Sequence, residues 1–90
     1  MVVSLEHETL KFPVHWRGSL IVAADTPAVA EQVEQIYQAM GLADGEIDRG
    51  PDSSGGKYET WRLACTVDSQ PTLRALFYAL EGLPGVRMLI

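Results

Sequence analysis

One cysteine, two histidines and no asparagine leave this 90-residue chain poor in the side chains that build most catalytic and metal centres. Cys65 alone cannot form an internal disulfide, and it lacks the companions of a structural zinc site. His7 and His15 lack them too. Basic residues are also scarce, with seven Lys and Arg against twelve Asp and Glu and a net charge of −5. That balance supplies no basic face to release counterions from nucleic acid or to attract an anionic bilayer, so neither is an expected partner. Apolar runs fall far short of the roughly 20 residues needed to cross a membrane. Met1 to Lys11 lacks the basic start and apolar stretch of a signal peptide. A reducing cytoplasm is the expected setting.

What is present is ordinary globular material. Hydrophobic residues make up 47% of the chain and charged residues 21%, which is enough apolar side chain for a core and too much for a disordered segment. At this length the core is thin, because small domains bury a smaller share of their surface. One domain is expected over residues 14–90. Residues 1–13 form a lead-in, rich in Glu and ending at Phe12-Pro13, with no sustained period.

From Val14 to Ala23 the pattern is that of a strand, with Trp16, Leu20 and Val22 on one side and His15, Arg17, Ser19 and Ile21 on the other. Asp25-Thr26-Pro27 then predicts a helix start, Thr26 offering a hydroxyl cap and Pro27 suiting the first helical position. Val29, Val33, Ile36, Tyr37 and Met40 follow at helical spacing, and Gly41 is placed to end the segment. Ala43 to Gly56 is acidic and rich in Gly, Ser and Pro, with room only for a short edge strand at Glu46 to Arg49. Asp48 to Lys57 is the internal segment expected to be least ordered. In the next strand Trp61, Leu63, Cys65 and Val67 alternate with Tyr58, Thr60, Arg62, Ala64 and Thr66. Asp68 and Ser69 compete to cap a second helix, with Pro71 in its first turn, Leu73, Leu76, Phe77 and Leu80 as its apolar stripe, and Gly82 as its stop. After Pro84-Gly85 the last strand assigns Val86, Met88 and Ile90 to the core and Arg87 and Leu89 to the opposite side.

The order β, α, β, β, α, β with two one-sided helices predicts an α+β, ferredoxin-like sandwich. Its four-stranded antiparallel sheet has the order 4-1-3-2, and both helices cover one face. The other face, carrying Arg17, Ile21, Tyr58, Arg62, Arg87 and Leu89, is the candidate interaction face.

The motifs that invite a chemical reading have blander explanations. Asp44, Glu46, Asp48 and Asp52 alternate as calcium ligands do, but the loop has Arg49 where an EF-hand needs glycine and Gly55 where it needs the bidentate acid. No metal and no cofactor is therefore expected. Ser53, Ser54, Gly55, Gly56 and Lys57 form a candidate ligand or anion loop by virtue of their closely spaced N–H groups. They lack the spacing of a phosphate-binding P-loop and precede a strand rather than a helix, so a hairpin turn is the favoured reading. Alternation points Cys65 into the core, away from His15, as an inert buried thiol. Trp16 and Trp61 also fall on the core side, where packing rather than base stacking is the default for tryptophan.

Four features recur in order. They are Phe12-Pro13 before the first strand, Ser53-Ser54 with Gly56 and Tyr58 at the second hairpin, Leu76-Phe77 with Leu80 in the second helix, and the terminal Val86-Arg87-Met88-Leu89. In this combination, over Phe12 to Ile90, the chain resembles the small bacterial YbeD-like proteins. The resemblance implies a fold similar to ACT domains, regulatory modules that often bind amino acids across a dimer interface, and it implies no catalytic activity. ACT-type sites commonly use a glycine in the turn from the first strand into the first helix, where this chain has Ala23-Ala24-Asp25-Thr26-Pro27.

Together these observations point to a non-catalytic regulatory or protein-interaction module with a protein partner, self-association being one form of it. The alternative is an ACT-type sensor of a small molecule, an amino acid, held near Asp25 to Ala28. A small hydrolase on the same fold ranks last, for the acylphosphatase-like chemistry that would serve as its model needs a catalytic amide and the chain has no asparagine.

Overall fold

The computed structural model describes residues 11–52 and 55–90. Six elements follow the expected order: β1 (Val14–Ala23), α1 (Val29–Ala39), β2 (Glu46–Arg49), β3 (Tyr58–Val67), α2 (Gln70–Glu81) and β4 (Val86–Leu89). The strands form one antiparallel sheet of order β2-β3-β1-β4, with both helices on one face.

The sheet is built on β1 and β3, which pair along their full ten residues from Val14↔Val67 to Ala23↔Tyr58. Because side chains alternate across a strand, this register sends Leu20, Val22, Leu63, Cys65 and Val67 to the helix side, where all are buried. Val29, Val33 and Tyr37 of α1 meet them, as do Leu73, Leu76 and Leu80 of α2. Burial of each large aliphatic side chain stabilises the fold by about 1.5–3 kcal/mol. Trp16, Trp61 and Phe77 pack at the margin of this core, half-buried, with the Trp16 and Phe77 ring centroids 5.4 Å apart. Trp16 lies across Gly18, and a β-carbon at residue 18 would collide with the indole.

The helix ends follow local chemistry, with one departure from expectation. Ser69 caps α2, its Oγ accepting from the Thr72 N–H at 3.3 Å, while Asp68 accepts from the Thr72 hydroxyl. At the end of α1, Gly41 takes a left-handed φ of 72°, and the Leu42 N–H donates to the Tyr37 carbonyl and the Gly41 N–H to that of Gln38. These two bonds close the helix as a Schellman motif. Its beginning is not where Asp25-Thr26-Pro27 placed it. The N-cap is Ala28, and the Thr26 hydroxyl instead donates to the Ala23 carbonyl at 2.6 Å, closing the turn that leaves β1. A hydroxyl spent on the preceding strand is no longer available to the helix.

The second departure is in β4. Val86 faces Val22 and Met88 faces Ile21, so two residues of β1 span three of β4, and Arg87 is the extra residue of a β-bulge. The shift reverses the alternation after Val86. Leu89 pairs with Leu20 and packs on the core side, whereas Met88 and Ile90, assigned to the core from the sequence, are 54% and 71% exposed.

A polar clamp fastens the α1–β2 connection to the sheet. The Thr66 N–H and hydroxyl both donate to the Asp44 carboxylate, at 3.0 and 2.6 Å, and His15 Nδ1 lies 3.3 Å from the same hydroxyl. These hydrogen bonds favour the ionised carboxylate and hold Asp44 below its ordinary value of 3.8. Nearby, Tyr37 donates its hydroxyl to the Glu46 carbonyl at 3.0 Å, and burial holds the phenol well above its ordinary range.

Three outcomes test this architecture. Leu76 is fully buried, so Leu76→Ala should lower stability by about 2–5 kcal/mol in urea unfolding. Burial, followed by the Asp44 charge, pushes the Cys65 thiol up to about 11, so a thiol reagent should label the native protein far more slowly than the unfolded one. The depressed Asp44 group contributes stability that is complete above 3.8 and is lost as pH falls through its lower folded value. The difference between the urea midpoints of wild type and Asp44→Ala should therefore hold steady from neutral pH and close only in acid. A difference independent of pH would show that the clamp does not act through the carboxylate charge.

Candidate interaction face

The β1–β3 register that fills the core also fixes what the other face presents. Reading across the sheet from β2, one row contains Asp48, Arg62 and Ser19, with Ile90 bonded to Ser19 through both backbone groups. The row on one side of it contains Glu46, Ala64 and Arg17. The row on the other side contains Thr60, Ile21 and Met88, and Tyr58 lies opposite Ala23 at the end of the ladder. An open groove of about 460 Å³ crosses this surface, lined by Arg17, Ser19, Glu46, Asp48, Arg62 and Ile90 over a floor that includes Gly18 and Ala64. Ala64 has the short side chain on this face and leaves the floor low, Gly18 contributes backbone only because its α-carbon faces the Trp16 indole on the other side, and the long charged side chains around them make the walls.

Of the residues singled out from the sequence, Arg17 and Arg62 share this groove, and Ile21 and Tyr58 lie on the same face. Arg87 is exposed within the bulge at the sheet's edge. Leu89 is on the helix side. The residues that pattern reasoning missed are Met88 and Ile90, displaced by the bulge, and Glu46 and Asp48, whose alternation with the half-buried Ile47 places them beside the arginines. Four large apolar side chains are prominently exposed among the described residues, and Tyr58, Met88 and Ile90 are three of them, the fourth being Tyr78 on α2.

The face is electrostatically divided. The ion pairs among the described residues belong to Arg49, which contacts Asp52 at 2.6 Å and Glu59 at 3.7 Å on the helix side, its guanidinium 5.3 Å from the centre of the Trp61 ring. Arg17, Arg62, Glu46 and Asp48 are outside those pairs.

The other candidate regions are poorer in functional groups. Gly55 and Gly56 take left-handed φ values of 88° and 70°, as a tight turn requires, and the Lys57 carbonyl accepts from the Ala24 N–H. Ser53 and Ser54 lie outside the described residues, as does His7. Among the described residues, no cluster of His, Cys, Asp and Glu could hold a metal ion, and no helix is long and apolar enough to cross a membrane. A second depression, of about 380 Å³, lies at the end of α1 beside Glu34, Tyr37, Leu42 and Gly45. Its one phenol is already committed to the Glu46 carbonyl.

Comparison with known proteins agrees with this architecture. Two solution structures of the Helicobacter pylori protein HP0495 superpose with TM-scores of 0.73 and 0.65 at 15% identity. They cover 91% of this chain and 86% and 91% of their own. The regulatory subunit of aspartate kinase from Thermus flavus is similar at 28% identity and a TM-score of 0.54 over 84% of this chain. The match takes in 49% of that subunit, so the chain spans about half its length. No curated protein matches the chain. The family model of the proteins of unknown function called DUF493 matches residues 7–90, and the chain, as its YbeD-like features implied, belongs to that family.

Proposed function

We propose that this domain is a non-catalytic regulatory or protein-interaction module that works through the open face of its sheet. The observation that carries the reading is the coincidence, on the face away from the helices, of Tyr58, Met88 and Ile90 with Arg17 and Arg62. Apolar contact, an aromatic anchor and arginine are the ingredients enriched at protein interfaces. Similarity to an aspartate kinase regulatory subunit supports a regulatory setting. Pairing through a sheet edge is the weaker route. The β2 edge is four residues long, carries Glu46 and Asp48 and runs into Gly50-Pro51, while the β4 edge is interrupted by its bulge. Short, charged and bulged edges resist strand addition. A lone thiol and a net charge of −5 fit a cytoplasmic protein that binds neither nucleic acid nor membrane.

A second reading, sensing of a small molecule such as an amino acid, is favoured by the corner after β1. There Asp25 and Ala28 both take left-handed φ values, 72° and 58°, and Ala28 gives α1 no side-chain cap. Backbone N–H groups at such a corner suit a carboxylate.

Two measurements separate the readings. Arg62→Glu and Tyr58→Ala should each leave folding intact, since both positions are exposed, and should remove the principal partner in crosslinked affinity capture from the native cell. Retention of every captured partner by both variants would reject the face. A thermal-shift panel of free amino acids should leave the melting temperature unchanged, whereas a saturable rise with one of them would favour the sensor.

A further inference from the structure

We infer that the β1–β4 half of the open face receives an acidic amphipathic helix, its apolar stripe on Ile21, Met88 and Ile90 and its acidic flank on Arg17 and Arg62. The inference rests on the open face being the recognition surface and specifies what that surface recognises.

Charge segregation is the first argument. The chain has twelve acidic residues, yet β1 and β4 contain none, while they carry Arg17 and Arg87. Arg62 of β3 faces Ser19 of β1, so it lies next to the same half. Three acids reach this face: Glu46 and Asp48 on β2 at the far side of the groove, and Asp44, which is held by the Thr66 N–H and hydroxyl at the opposite end of the sheet from Ile21 and Met88. A partner that covers Ile21, Met88 and Ile90 therefore meets arginine, apolar side chains and the uncharged Ser19, and no acidic side chain of β1 or β4. Acidic groups on the partner gain from Arg17 and Arg62, and Glu46 and Asp48 repel any placement that slides them across to β2.

Shape is the second argument. Met88 and Ile90 are two residues apart along β4, about 6.6 Å, and Ile21 stands opposite Met88 on the neighbouring strand. Two strands about 4.8 Å apart make a strip about as wide as the 10–12 Å cylinder of a helix. Successive apolar turns of that helix recur every 5.4 Å or so, close to the spacing of the exposed side chains. The bulge at Arg87 turns Met88 outward, which completes the strip and also blunts the edge that an extended peptide would otherwise extend.

The test uses the purified full chain and two synthetic helices of about 18 residues, long enough to hold helical structure. Both have one leucine stripe, flanked by glutamate in one peptide and by lysine in the other. Amide shifts on titration with the glutamate peptide should centre on Ile21, Met88 and Ile90. Its affinity should exceed that of the lysine peptide by about tenfold at low salt, a preference that shrinks as salt is added. Arg17→Glu with Arg62→Glu should reverse the preference. Equal affinity for the two peptides, no saturable binding of either, or shifts centred on another surface would overturn the inference. So would concentration-dependent self-association that perturbs the same residues, because a second copy would then be the occupant. If the peptides fail while Arg62 and Tyr58 remain necessary for partner capture in cells, the interaction face stands and the acidic helix falls.

Discussion

Everything in this small domain depends on the antiparallel ladder between β1 and β3. Ten consecutive pairs, Val14↔Val67 to Ala23↔Tyr58, fix which side of the sheet each residue occupies, and a slip of one residue would exchange the two sides entirely. In the native register every fully buried strand residue of the core comes from these two strands. The same pairing lifts Arg17, Ser19, Arg62 and Ala64 to the other face, so core and groove are two consequences of one alignment. A chain of this size has little apolar surface to spare, and it is this double use that allows a thin core to support a shaped surface.

The fold was legible because its signals were mutually consistent. Alternation in β3, the helical repeat from Val29 to Met40 and the cap and stripe of α2 each depend on local spacing, and each element formed where its spacing placed it. Amphipathicity placed both one-sided helices on one face of the sheet, and the β, α, β, β, α, β order of the elements supplied the strand order. At the start of α1, where the sequence misled, one local hydrogen bond displaced another. Thr26 is a competent cap, but the Ala23 carbonyl lies within reach, and the hydroxyl bonds to the strand it leaves rather than the helix it precedes.

The candidate face was only partly legible, for a different reason. Val86 to Ile90 alternates as a regular strand would, and nothing in those five side chains announces an extra residue. The bulge arises from pairing with β1, where Val22 and Ile21 must face Val86 and Met88. It exchanges Leu89 for Met88 and Ile90 on the exposed side. Glu46 and Asp48 are absent from the expected face for the opposite reason. In the sequence they belong to an acidic, calcium-like run on a short edge strand, and only their register with Ala64 and Arg62 places them at the wall of a groove.

The division of labour across the sheet follows from these contacts. On the β2 side polar bonds hold structure together: Asp44 binds Thr66, Tyr37 binds the Glu46 carbonyl, and Arg49 joins Asp52 and Glu59 over Trp61. Those groups are already engaged, and recruiting them to a partner would first break a bond within the chain. On the β1–β4 side Arg17 and Arg62 have no ion pair among the described residues, and Met88 and Ile90 face outward. Single exposed apolar residues are ordinary on soluble proteins. Their alignment beside arginines, on two strands without an acidic side chain, is the pattern on which the proposed interaction face rests. Complementary charge and apolar contact from a partner would engage groups that the fold leaves outside these ion pairs and its core.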